Sequence, residues 1–132
     1  MDAVRGADVL DLFCGSGALG VEALSRGAAA ATFVDDDPAA IAAVRANLTS
    51  TGLQGGEVVR ADALRWLDAG AAFDLALVDP PYAFDDWVAV FSRVRAAVVV
   101  AESDRDLVIP SPWQIARRKR YGGTVVHLVA SE

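Results

Sequence analysis

An α/β fold built on a doubly wound, mostly parallel sheet is predicted by three features of the sequence. Five short aliphatic runs alternate with helical patterns, the first run opens into a glycine-rich turn, and the chain closes on a hairpin signature.

In order, Asp8–Phe13, Ala30–Asp35, Glu57–Arg60, Phe73–Asp79 and Ala97–Glu102 predict strands, nearly continuous in apolar residues as strands buried on both faces are. Gly17–Arg26, Pro38–Thr51, Ala63–Ala69 and Phe84–Val94 predict the intervening helices, and this alternation implies parallel strands with right-handed crossovers. The second helix has the clearest bounds: Asp37 can cap it, Pro38 suits its first turn and Gly52 ends it. Pro110 and Pro112 make Ser103–Pro112 an irregular connector. Gln114–Tyr121 and Thr124–Ser131, joined through Gly122-Gly123, then predict an antiparallel pair, which a plain dinucleotide-binding fold does not require.

At 132 residues the chain has room for one domain, residues 1–132. Its hydrophobic fraction of 54% excludes a disordered chain. One cysteine, Cys14, and one histidine, His127, exclude a disulfide framework and leave too few ligands for zinc, so no metal is expected. No run reaches the ~20 apolar residues of a membrane span, and the start lacks the pattern of a signal peptide, so the expectation is a soluble, cytoplasmic monomer. The net charge of −6 would repel nucleic acid if evenly spread, but positive charge gathers at Arg117, Arg118, Lys119 and Arg120. That run is a candidate RNA-binding surface, or else a solvated edge strand protected from aggregation by its charge.

After the first strand, Asp11-Leu12-Phe13-Cys14-Gly15-Ser16-Gly17-Ala18-Leu19-Gly20 holds a literal G-x-G-x-x-G. Glycine lets the backbone turn sharply and approach a ligand, and the following helix starts with free N–H groups. A nicotinamide dinucleotide would use such a loop for its pyrophosphate, with Asp35, about twenty positions on, for its ribose. Asp11 tips the reading the other way, because a fixed negative charge beside the loop opposes a pyrophosphate and favours a cationic sulfonium amino acid. The candidate cofactor residues are Asp11, Phe13, Cys14, Gly15, Ser16, Gly17, Asp35, Asp36, Asp62, Ala63 and Asp79. Within that set, Asp36, like Asp37, also reads as a capping or solvated carboxylate, and Cys14 as a small loop residue with no histidine in sequence to activate it. Asp62 is placed either to meet an adenine edge or to cap the helix that follows, roles compatible with a ligand contact through the Ala63 N–H.

The fourth strand ends in Asp79-Pro80-Pro81-Tyr82. Two prolines remove donors and stiffen the chain, so the Asp79 carboxylate and the Pro80 carbonyl are preset acceptors. Two acceptors converging on one amino group suit an exocyclic amine, whose lone pair is otherwise delocalised into its ring. Tyr82 offers a face on which an unstacked planar base can lie. These four residues are the candidate catalytic set, acting by positioning and electrostatics without a strong base.

These motifs resemble the class I S-adenosylmethionine-dependent methyltransferases, specifically the RsmD-type enzymes that methylate a guanine N2 in small-subunit (16S) ribosomal RNA. The resemblance runs through Asp11–Gly17, Leu19–Ala28, Phe33-Val34-Asp35, Asn47, Gly52-Leu53, Asp79–Tyr82 and Lys119–Gly122. It implies a Rossmann-like methyltransferase sheet of order 3-2-1-4-5-7-6 with strand 7 antiparallel. It also implies that the glycine loop holds the methionine part of the cofactor, Asp35 the ribose, Asp62 the adenine and Asp79–Tyr82 the guanine amine. S-adenosylhomocysteine would be the product, and ribosomal RNA or the assembling small subunit the partner. Members carry a basic N-terminal segment, whereas this chain begins only a few residues before its first strand. A non-catalytic or truncated cofactor-binding domain, and an N-methyltransferase of another planar amine, are therefore the alternatives.

Overall fold

The computed structural model describes residues 4–131; residues 1–3 and 132, which the single-domain expectation includes, lie outside the described residues. The elements are β1 (Asp8–Leu12), α1 (Ala18–Ser25), β2 (Ala30–Asp35), α2 (Pro38–Thr51), β3 (Gly56–Arg60), α3 (Ala63–Leu67) and β4 (Ala72–Val78). They continue with α4 (Trp87–Arg93), β5 (Arg95–Ser103), β6 (Trp113–Tyr121) and β7 (Thr124–Ser131). The strands form one sheet of order β3-β2-β1-β4-β5-β7-β6. β1 to β5 pair in parallel, while β7 is antiparallel to both β5 and β6, as the sequence predicts.

Differences from the expected bounds are small and lie at element ends. The last helix is the largest, beginning at Trp87 rather than Phe84. The reason is local: Phe84 N–H donates to Pro81 O at 2.9 Å, so residues 81–84 close a turn before any helix begins. α2 matches its signals, with Asp37 Oδ1 accepting from Ala39 N–H at 3.0 Å and Gly52 ending the helix at φ 70°.

The sheet has apolar residues on both faces, which produces two cores. On one side Val9, Ala31 and Phe33 pack with Ala23 and Leu24 of α1 and Val44 of α2. On the other, Leu10, Val34, Val78 and Val99 pack with Leu67 of α3 and Trp87, Val90 and Phe91 of α4. His127 is fully buried, accepting from Leu107 N–H at Nε2 (3.0 Å) and facing Ala101 O across Nδ1 (3.1 Å). With Nε2 accepting, the proton sits on Nδ1, and the ring ties the connector after β5 to the sheet. No helix of the described residues is long and apolar enough to cross a membrane.

Candidate active site

Strand order reverses between β1 and β4, and in open α/β sheets such a switch point leaves a crevice at the carboxyl ends of the strands. The residues singled out in the sequence meet there. A cleft of about 810 Å³ is lined by Phe13, Gly15, Asp35, Asp36 and the whole of Asp79–Phe84. A smaller cavity of about 230 Å³ is lined by Asp11, Phe13, Cys14, Gly15, Ser16, Ala18, Leu19 and Asp79. Phe13, Gly15 and Asp79 line both spaces, so they stand where the two adjoin.

The three glycines of the loop have separate reasons to be glycine. Gly15 has φ 54° with open space where a side chain would go, so its backbone faces the cleft. A Cβ on Gly20 would lie 2.4 Å from Phe33 Cε2 and 3.0 Å from Asp11 Oδ2, so α1 rests on β2 through this residue. Gly17 is likewise seated against Val44 and Phe33 and lines neither cavity. Phe13 holds a left-handed conformation, φ 58°, a rare state for a bulky residue and one that concentrates at functional sites. Its ring centroid sits 5.0 Å from that of Phe84, which joins the glycine loop to the loop after β4.

Asp35 organises the loop: Oδ2 accepts from Gly15 N–H at 2.9 Å and Oδ1 from Asp37 N–H at 3.0 Å. Asn47 braces it from α2, Nδ2 donating to Ser16 O at 2.9 Å. Gly17 N–H donates to Cys14 O at 2.8 Å. Two N–H groups that a pyrophosphate would need are thus already committed within the protein.

Asp11 is 1% exposed and accepts from Gly20 N–H at 3.0 Å. Burial pushes its carboxyl up to about 7, against the opposing pull of that N–H. The expectation of a fixed negative charge is therefore corrected: the desolvated site disfavours the anion, so Asp11 holds a proton far more readily than an ordinary carboxyl. A cationic ligand in the adjoining cavity would restore its charge. Burial likewise pushes the Cys14 thiol up to about 12, which rules out a resting thiolate.

The two cavities carry Asp11, Asp35, Asp36 and Asp79 on their walls and neither lysine nor arginine. This set of acceptors fits a sulfonium amino acid attached to a ribose and does not fit a dinucleotide pyrophosphate. Asp62 caps α3, its Oδ2 accepting from Arg65 N–H at 3.1 Å, and neither Asp62 nor Ala63 lines either cavity. Among the described residues no cluster of side chains suited to a metal ion occurs.

Sequence reasoning missed three residues. Glu102, ending β5, shares a side-chain hydrogen bond with Asp79, and burial raises both carboxyls above their ordinary range. Arg105, in the connector, donates from Nη1 to Tyr82 O at 3.3 Å and from Nη2 to Phe84 O at 3.0 Å, clamping the turn that presents Tyr82. Thr124, opening β7, has its Oγ1 3.0 Å from the Tyr82 hydroxyl. None carries a motif; only the expected adjacency of the fourth and fifth strands hinted at Glu102.

The expected basic run divides. Arg118 and Arg120 turn to Asp106, at 3.8 Å and 2.6 Å, and Arg118 Nη2 also donates to Leu107 O at 2.7 Å. Arg117 and Lys119 project from the other face, beside Tyr121.

A family described as "Conserved hypothetical protein 95" matches residues 1–130. The "Putative rRNA methyltransferase YlbH" of Bacillus subtilis is 38% identical over 132 residues, covering 89% of this chain and 72% of that protein. "Ribosomal RNA small subunit methyltransferase D" of Escherichia coli is 32% identical, covering 96% of this chain and 69% of its own length. Among solved structures, the "Putative methyltransferase yhhF" of Escherichia coli superposes with a TM-score of 0.86 at 31% identity, covering 98% of this chain and 77% of that one. Fold, cleft and similarity agree: the chain belongs to the Conserved hypothetical protein 95 family, the RsmD-like S-adenosylmethionine-dependent methyltransferases.

Proposed function

We propose that this chain transfers a methyl group to the exocyclic N2 amine of a guanine in small-subunit ribosomal RNA. The observation that carries the reading is the position of Asp79, on the wall of both cavities and at the head of the rigid Asp79–Tyr82 turn. The similarity to ribosomal RNA methyltransferases supports RNA as the polymer.

S-adenosylmethionine supplies an electrophilic methyl group on a sulfonium. The smaller cavity suits its methionine part, with Asp11 opposite the ammonium, and Asp35 and Asp36 offer acceptors for a ribose diol. Asp62 and Ala63, after β3, are the candidates for the adenine edge. On the side of the larger cleft, an amine entering beside Asp79 can donate one hydrogen to its carboxylate and the other to the Pro80 carbonyl. That pairing localises the nitrogen lone pair and directs it toward the smaller cavity. Pro81 keeps the turn rigid, and the Tyr82 ring, 51% exposed, offers a stacking face worth about 1–3 kcal/mol per base. Once the nitrogen carries the methyl group its extra proton must leave, and Asp79 Oδ is the acceptor at hand.

The test is transfer of a labelled methyl group to undermethylated small ribosomal subunits, followed by identification of the modified base. The expected product is N2-methylguanine. Asp79→Ala should lower turnover by about 10²–10³-fold with S-adenosylhomocysteine affinity kept within a few-fold. Full activity in that variant would remove Asp79 from the mechanism.

A further inference from the structure

The β6–β7 hairpin shows two unlike faces. A bulge in β6 shifts the pairing, so that Ile115 opposes Val129 but Arg117 opposes Leu128. Beyond the bulge, Arg118 and Arg120 lie on the face of buried Val125 and His127 and are held by Asp106. Arg117, Lys119 and Tyr121 fall on the opposite face, where with Val126 and Leu128 they line a groove of about 260 Å³. Neither Arg117 nor Lys119 meets a carboxylate among the described ion pairs; Lys119 Nζ lies 5.1 Å from the centroid of the Tyr121 ring. Tyr121 is 56% exposed.

This face continues into the candidate site. Thr124 pairs with Tyr121 across the hairpin, and its Oγ1 is 3.0 Å from the Tyr82 hydroxyl. In the next row Lys119 pairs with Val126, and Val126 with Glu102, the neighbour of Asp79. Two strand spacings put Lys119 about 10 Å from Glu102. Two exposed tyrosines, linked through Thr124, and two cations along β6 match the composition of single-strand binding surfaces, where aromatic faces stack bases and cations follow the phosphates.

We propose that the outward face of the β6–β7 hairpin, carrying Arg117, Lys119 and Tyr121, holds the single-stranded RNA that flanks the target base. It rests on the RNA-methylation reading and adds where the strand leaves the site. Arg118 and Arg120 have no part in it, since they lie on the opposite face of the hairpin and turn to Asp106.

The test compares the parent chain with Arg117→Ala/Lys119→Ala, Tyr121→Ala and Arg118→Gln/Arg120→Gln. Each is measured for S-adenosylhomocysteine affinity, for methyl transfer to undermethylated small subunits, and for binding a fluorescein-labelled single-stranded RNA across a salt series. The first double variant should bind the oligonucleotide roughly tenfold more weakly, with the slope of log K against log salt reduced by about 0.7 per lost phosphate contact. Tyr121→Ala should weaken binding about tenfold at an unchanged slope. Arg118→Gln/Arg120→Gln should match the parent, and all variants should keep the parent's S-adenosylhomocysteine affinity. Arg117→Lys/Lys119→Arg should restore the slope.

An Arg117→Ala/Lys119→Ala variant that binds RNA like the parent overturns the proposal while leaving RNA methylation standing. The same holds if RNA affinity persists and only sedimentation changes, which would make the face a contact between copies of the chain. A parent that binds S-adenosylhomocysteine but neither binds nor methylates RNA overturns the functional reading itself.

Discussion

Asp79 and Glu102 meet side chain to side chain at the ends of neighbouring parallel strands, one register position beyond the Val78–Ala101 pair. Burial disfavours ionising either, and the negative charge of Asp79 further raises Glu102, so Glu102 is the group that keeps its proton and donates it to Asp79. The carboxylate proposed to receive the amine is thereby held in place by a neighbour.

Glu102→Gln preserves a donor to Asp79 while removing a titrating group. The amide is a weaker donor to the Asp79 carboxylate than a carboxyl O–H, so the acid limb of the kcat profile should move to higher pH, with cofactor affinity unchanged. A pH–rate profile superimposable on the parent's would sink the idea of a coupled pair.

Asp11 predicts a pH-dependent stability and affinity. Its folded value of about 7 lies above the ordinary 3.8, so the stability it contributes is present in acid and is lost as pH rises through about 7. Asp11→Asn should flatten that part of the pH dependence in urea unfolding. In the parent chain the affinity for S-adenosylmethionine, a cation, should climb over the same range with release of a proton, detectable by calorimetry in buffers of different ionisation enthalpy. An affinity independent of pH there would place Asp11 away from the ligand.

Gly20 and Gly15 separate packing from binding. Gly20→Ala forces a Cβ against Phe33 and should cost about 1–3 kcal/mol in unfolding free energy. Gly15→Ala meets open space and only the strain of its positive φ, about 1 kcal/mol, yet it should weaken cofactor binding more than Gly20→Ala does. Equal loss of affinity in folded samples of both variants would count against Gly15 facing a ligand.

Arg105 touches no proposed substrate position, so its effect runs through the turn it clamps. Arg105→Ala should lower kcat/KM for RNA by up to about 10²-fold, as small misplacements of a reacting group do, with unfolding and S-adenosylhomocysteine binding little changed. Arg105→Lys, which cannot bridge both carbonyls, should recover only part of the loss. Activity at the parent's level in the alanine variant would show that the turn holds itself.

Legibility in the sequence followed the range of the interaction. Strands, helices, the Asp37 and Asp62 caps, the glycine turn and the hairpin depend on residues a few positions apart, and all were readable to within a few residues. The Asp79–Tyr82 turn was readable because two prolines impose conformation locally. Arg105 shows the limit, since the side chain that clamps the local turn of residues 81–84 comes from the connector after β5, far away in sequence.

By itself the sequence determined the order of elements, the apolar faces that make them stack and the motifs that gather at the switch point of the sheet. Only the tertiary structure decided that Glu102 neighbours Asp79, that Thr124 meets Tyr82 and that Asp11 is buried enough to hold a proton. It also decided which half of the basic run is free, because a single bulge inverts the alternation of every side chain after it. Register and burial come from pairing between distant segments, and residue spacing along one strand does not contain them.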